Sequence, residues 1–304
     1  MKMKNLLFVV FSVLASFSSN AQSNLLNAKT PAEIGKKTAA QLESDNDKPL
    51  PYGYVHDRDV LMGKTTWENI DLDERINFPL YYPVDTAFVG KERRSLFQVL
   101  LNGIKSGKIT EVYGDDYFNA KKTLKDIESV FQYRDTTQAG IDEYNNYYDD
   151  YKSGKKVLSK EFINITELSA KDVSAYKIKG FWYFDKRQSE LKYRLLAICP
   201  MATEARDKAK GNTDAIPLFW VYFPSVRDIL HEAKAFNDRN SAMPITFDQL
   251  LNSRRFNGVI YKEENVYGDR EIQDYMKDNA QMQLLESERV KEKIRDFEQD
   301  MWTY

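Results

Sequence analysis

Cysteine and histidine are nearly missing from this 304-residue chain: it has 1 Cys and 2 His. A single cysteine, Cys199, excludes an intrachain disulfide and any multi-cysteine zinc site. It stands in the apolar run Leu195–Cys199, so it reads as a buried, inert thiol. The histidines are His56 and His231, which cannot form the His-x-x-x-His pair of a zinc protease. His231-Glu232 reads as a surface helix position. There is no Gly-x-Ser-x-Gly nucleophile elbow. Gly63-Lys64-Thr65 has the end of a phosphate-binding loop, but Arg58 stands where its first glycine belongs. Beyond the N-terminus no stretch is apolar enough to cross a membrane. Charge of one sign is also lacking: the formal net charge is −2, which leaves no electrostatic footprint for nucleic acid.

Carboxylates are plentiful, and a glycosidase needs only two of them. Asp115-Asp116, Asp149-Asp150 and Glu263-Glu264 are the candidate pairs. Each lies among polar residues near an expected turn, where solvated acids are ordinary. No loop has the alternating ligands of an EF-hand. The sequence therefore points away from catalysis and calls for no cofactor or metal. An envelope hydrolase acting on glycan through paired carboxylates is the alternative.

Aromatic residues are abundant, with 19 Tyr, 17 Phe and 4 Trp. Tyrosine joins an apolar face to a polar tip and suits half-wet interfaces as well as strands.

The first 21 residues have the three parts of a secretory signal: Lys2 and Lys4, the apolar stretch Leu6–Phe17, and Ser19-Asn20-Ala21 for cleavage. Loss of the two lysines takes the formal charge from −2 to −4. No Cys stands near the cleavage site for lipid attachment. The expectation is a soluble exported protein starting at Gln22. Residues 22–64 read as an extended arm, with a short helix from Thr30-Pro31 to about Leu42 and a linker around Pro49-Leu50-Pro51.

An α+β core of mixed strands and short helices is expected over 65–267. Ile76–Pro83 and Pro217–Pro224 read as aromatic strands punctuated by proline. Ser95–Leu101 and Phe247–Asn252 read as short helices, each followed by a turn and then a strand, Ile109–Tyr113 and Val259–Lys262. Phe181–Asp185 and Leu191–Ile198 form a hairpin. Ala120–Tyr133 is an amphipathic helix, and the tyrosine-rich stretch 142–156 a solvated excursion. Arg206–Gly211 reads as a solvent-facing hairpin tip.

Two stretches, 65–135 and 180–265, share a pattern. Leu80-Tyr81-Tyr82-Pro83 answers Val221-Tyr222-Phe223-Pro224, Phe97-x-x-Leu100-Leu101-Asn102 answers Phe247-x-x-Leu250-Leu251-Asn252, and Ile109 answers Val259. The match reads either as duplication of one strand–helix–strand unit or as coincidence between two ordinary ones. Residues 268–304 form an amphipathic helical tail with Asp269 as its expected cap, ending in Met301-Trp302-Thr303-Tyr304.

Trp67-x-x-Ile70-Asp71-x-x-Glu74-x-x-Asn77-x-Pro79-Leu80-Tyr81-Tyr82-Pro83, with Pro51-Tyr52 ahead of it, resembles the GldN/PorN family of gliding-motility and type IX secretion proteins of the Bacteroidetes. Trp220–Pro224, Phe247–Val259 and Asn265–Arg270 are similar to it as well. The resemblance implies a periplasmic scaffold subunit in a ring with a GldK/PorK-like outer-membrane lipoprotein. It also implies contact with the periplasmic part of a GldM/PorM-like protein of the GldL/GldM-type motor. It supplies no active site. On this reading the membrane is reached only through the lipoprotein, and the arm wraps a neighbour. Trp67, Tyr81, Tyr82, Trp220, Tyr222 and Trp302 are the candidate interaction residues.

Overall fold

The computed structural model describes residues 48–302 apart from 88, 91–92, 237–244 and 278. The signal segment and the short helix expected from Thr30 lie outside the described residues. The architecture is α+β, built on a curled antiparallel sheet.

In chain order, β1 (Val60–Asp71) is followed by a 3₁₀ turn, Arg75–Asn77, and the one-turn helix α1 (Phe78–Tyr81). Next come α2 (Leu96–Lys105), α3 (Leu124–Phe131) and β2 (Gln132–Thr136). A lobe carries α4 (Gln138–Asn146) and α5 (Tyr148–Lys152) and closes with β3 (Ile163–Glu167), the partner of β2. The long hairpin β4 (Val173–Asp185) and β5 (Glu190–Ala202) leads to α6 (Ala205–Ala209), β6 (Ile216–Pro217), β7 (Val221–Tyr222) and α7 (Phe223–Glu232). The short strands β8 (Lys234–Ala235) and β9 (Ile245–Thr246) pair with each other ahead of α8 (Phe247–Asn252) and β10 (Val259–Glu263). The chain then forms α9 (Ile272–Tyr275) and α10 (Ala280–Trp302).

The main sheet runs β10-β1-β4-β5-β6, with β7 also on β5. On β4, Tyr176 and Ile178 are buried in the main core while Lys177 and Lys179 point the other way, the period of two that a strand imposes. Ile70, Leu195 and Ile198 join that inner face, which α2, α7 and α8 cover. Ser95 caps α2 by accepting from the N–H of Gln98, and Thr246 caps α8 through the N–H of Gln249 at 3.1 Å. The register of β4 on β5 slips between Lys179 and Gly180. There the ring of Tyr193 crosses Gly180 so closely that a Cβ would lie 2.1 Å from its hydroxyl, so only glycine fits. At the sheet edge α10 lays Val290 and Ile294 on Ile260, and the Ser287 hydroxyl accepts the Ile260 N–H at 2.9 Å. A helix thereby takes up a donor of the edge strand.

Several expectations change. Ile76–Pro83 is helical, not a strand: Pro79 occupies the first turn of α1, where its missing N–H costs nothing. Pro217–Pro224 yields only the two-residue strands β6 and β7, because Pro224 opens α7. Ile109–Tyr113 is no strand; Tyr113 alone makes bridges, to Lys121 and Trp220. The helix expected from Ala120 starts at Leu124, behind a Thr123–Asp126 capping box, and passes into β2. Arg206–Gly211 includes the helical turn α6. Asp269, at φ 58°, is not a cap; Glu271 caps α9 with Asp274 as its reciprocal partner. β1 begins at Val60, inside the stretch read as arm. Of the three paired stretches, Phe97–Asn102 and Phe247–Asn252 are both helical. The other two pairs differ in conformation.

Candidate interaction surfaces

Three of the six candidate residues converge on the outer face of the sheet. Trp67 of β1 and Trp220, just ahead of β7, pack with Ala197 and Cys199 of β5, and Tyr113, Phe118 and Tyr261 close around them. Small side chains on β5 make the room for two indoles. Tyr113 and Trp220 exchange both main-chain hydrogen bonds at 2.8 Å, which sews the loop after α2 to the strand region. Phe118 sits at φ 64°, a costly conformation for a bulky residue, and its ring meets Tyr113 at 5.2 Å and Tyr222 at 5.4 Å.

Two lysines tie this loop down. Lys262 Nζ lies 4.2 Å from the centre of the Trp67 ring and donates to Asp116 Oδ2 at 3.0 Å. Lys179 Nζ lies 4.4 Å from the Tyr117 ring and donates to the Asp116 carbonyl at 3.0 Å. Tyr117 donates to Asp269 Oδ2 at 2.7 Å. Burial pushes the Lys179 ammonium below its ordinary range. Burial acts the same way on Lys262, but its bonds to Asp116 and Tyr117 outweigh it and hold the pKa above the usual value. The Tyr117 hydrogen bond holds the Asp269 carboxyl low. Desolvation drives the Cys199 thiol up to about 12, the inert thiol expected from its apolar run.

Trp67 and Trp220 are only 1 % and 4 % exposed. They brace this face from within, and its accessible rim is Tyr117 and Tyr222. Tyr81 and Tyr82 form a second patch at the end of α1, with their rings 4.8 Å apart and Ile76 exposed beside them. Trp302 is exposed at the far end of α10. The structure does not bring these three to the Trp67 cluster.

A third surface was not among the candidates. On α4, α5 and the joint between them, Tyr144, Tyr147 and Tyr148 are exposed, and the Tyr144 ring meets those of Tyr148 and Tyr151 at 5.7 and 5.3 Å. Lys156 lies 3.7 Å from the Tyr147 ring centre. Positions 144, 147, 148 and 151 follow helical spacing, the signal that marks one face.

Four of the six paired acids are tied into the fold: Asp115, Asp116, Glu263 and Glu264. Asp115 accepts from the N–H groups of Ala120 and Asn119; the Ala120 bond is the main cause that holds its carboxyl low, against the opposing effect of burial. Asp116 pairs with Lys262, and Glu263 with Lys64 at 3.0 Å. Glu264 accepts from the Thr65 N–H, while Asp149 and Asp150 lie exposed in the first turn of α5. Among the described residues no group of three or more His, Cys, Asp or Glu could hold a metal ion. No described helix is long and apolar enough to cross a membrane.

The sequence profile described as "Gliding motility associated protein GldN" matches residues 55–303, most of the chain and all of the main sheet. The chain belongs to the GldN family. Membership ties it to gliding motility and type IX secretion, machinery of the cell envelope. No curated protein matches it.

Proposed function

We propose that this GldN-family chain is a periplasmic, non-enzymatic scaffold subunit of the type IX secretion and gliding machinery. It forms a ring with a GldK/PorK-like lipoprotein, which holds it beneath the outer membrane, and it contacts the periplasmic part of a GldM/PorM-like motor protein. The observation that carries this reading is the family match over 55–303. The separate surface aromatics, Tyr117 and Tyr222, Tyr82 beside the half-buried Tyr81, and the tyrosines of the α4–α5 lobe, are in keeping with it. A ring subunit needs two different faces for its neighbours, since heterologous contacts close only when unlike patches meet. It needs further faces for unlike partners, and aromatic side chains are the usual anchors.

The test is affinity purification of the tagged chain from envelope membranes at native abundance. A GldK-like lipoprotein co-purifies in a large complex, and deletion of the gene abolishes secretion. A chain recovered monomeric and unaccompanied overturns the reading.

A further inference from the structure

The segment ahead of β1 is held by a few directed contacts to the core. The Tyr52 ring centre lies 4.2 Å from the Arg227 guanidinium carbon and 4.7 Å from that of Arg194. Its hydroxyl donates to Asn252 Oδ1 at 2.8 Å. Arg227 Nη2 donates to the Leu50 carbonyl at 2.7 Å, and Arg194 Nη2 to the Gly53 carbonyl at 3.1 Å. Leu50, Tyr52 and Gly53 thus meet one cation–π sandwich and three hydrogen-bonding groups, with Pro51 lining the same cavity.

Two of the three receiving groups, Arg227 and Asn252, are held by the core itself. Asp248, 4 % exposed, accepts from Arg227 Nε at 2.8 Å and Nη2 at 3.0 Å, and from Asn252 Nδ2 at 2.8 Å. One buried carboxylate therefore aims both the guanidinium and the amide that read the tyrosine, so little ordering cost falls on binding. The flanks are loose. Leu50 and Tyr54 are 82 % and 79 % exposed, and a Cβ on Gly53 would meet nothing within 4 Å. A cavity of about 320 Å³ lies between this segment and the β4–β5 hairpin.

We infer that this slot is a receptor for a Pro-Tyr-Gly segment, and that the arm of a second copy fills it as the chain's own arm does, clipping neighbours together. The same groups make the same bonds in either arrangement, so exchange costs no contact. Local concentration then decides between them, and it rises sharply between adjacent copies. Reach is sufficient: the eight residues from Gly53 to Val60 span up to about 27 Å when extended. The inference rests on the ring-subunit reading only for why copies stand side by side.

The test is a fluorescence-anisotropy titration of a labelled peptide covering Lys48–Asp57 with the full chain carrying Tyr52→Ala. That change empties the slot and leaves every receptor residue in place. Saturable binding is expected, at least tenfold weaker to the wild-type chain, whose slot is occupied. Binding is also at least tenfold weaker for a peptide with Tyr52→Ala, and several-fold weaker when the receptor also carries Arg194→Ala. No saturable binding, or binding equal for the two peptides or for the two proteins, overturns the inference. Thermal melting checks the fold of the receptor. If Tyr52→Ala does not fold, Tyr52→Phe, which loses only the bond to Asn252, takes its place in the same titration. Neither ring nor lipoprotein is present, so this result is independent of the membrane purification.

Discussion

Removing Arg254 while keeping Glu68 leaves a carboxylate sealed in the protein with no partner. Glu68 is 1 % exposed, and its two oxygens receive Arg254 Nη1 at 3.0 Å and Nη2 at 2.7 Å. The guanidinium also lies 4.9 Å from the centre of the Trp182 ring and 4.2 Å from that of Tyr193. Arg254→Met keeps an unbranched apolar stem in place of the guanidinium and adds no backbone cost, since a residue with a Cβ already adopts φ 51° there. Breaking a buried pair from one side costs about 3–5 kcal/mol, because the surviving charge has neither water nor partner. With a urea slope near ~3 kcal/mol/M, the unfolding midpoint falls by about 1–2 M. The change is followed by tryptophan fluorescence, in which Trp182 also loses its cation neighbour. The double variant Glu68→Leu with Arg254→Met removes both charges and recovers most of that loss, as uncharged replacements of buried pairs do. A double variant as unstable as the sum of its singles would refute the assignment of the cost to the orphaned carboxylate.

Trp220→Ala empties a buried site and lowers stability by about 3–5 kcal/mol. Tyr222→Ala, at the exposed rim, leaves the melting temperature nearly unchanged but lowers recovery of the partner in membrane purification; equal recovery removes Tyr222 from the contact. Thr246→Ala deletes the cap of α8 and costs about 1 kcal/mol in urea unfolding, whereas Thr246→Ser costs much less. Acid destabilises the protein through Asp172: burial opposes its ionisation, but bonds from Lys208 and Ser169 hold its pKa below the unfolded value. The stability it contributes is therefore complete above the unfolded carboxylate pKa near ~4 and fades as pH falls below it. Melting of Asp172→Asn should show a shallower acid decline than the parent. Native Cys199 resists a colorimetric thiol reagent at pH 8 and reacts fully in guanidinium; rapid native reaction contradicts its burial.

The elements legible in the sequence were those whose local signals agree. Ser95 before an apolar helix face, Thr246 before Phe247–Asn252, and strand formers on both sides of the polar turn after Asp185 each give one answer from cap, period and turn. Ile76–Pro83 misleads because its tyrosines are as good on a strand as on a helix, and the choice falls to Pro79 and to tertiary packing. The candidate site was half legible. Aromatic enrichment picked out Trp67, Trp220 and Tyr222, but nothing local tells a bracing indole from an exposed one. That distinction is made by Ala197 and Cys199, which reach Trp67 only through the β1–β4–β5 register. The lysine–tryptophan contacts depend in the same way on Lys179 and Lys262 flanking Trp67 on two neighbouring strands. The tyrosine face of the α4–α5 lobe was visible as spacing, but its charges gave it the look of plain solvated chain.

These placements divide the aromatic residues by task. Two of the three candidate indoles, Trp67 and Trp220, lie inside, where they hold the 113–122 loop and the Trp220 region against the sheet. The cost of Phe118 at positive φ is offset by its packing between Tyr113 and Tyr222 and by the lysine ties to Asp116. What emerges at the surface is a pair of phenols, Tyr117 and Tyr222, on a rigid base. A contact site gains from such support because side chains already fixed lose little freedom on binding. The α4–α5 lobe has the opposite construction: its tyrosines touch one another and Lys156, Gly140 alone among its helical residues is buried, and it lies between the strands of the two-stranded β2–β3 ribbon, which is not part of the main sheet.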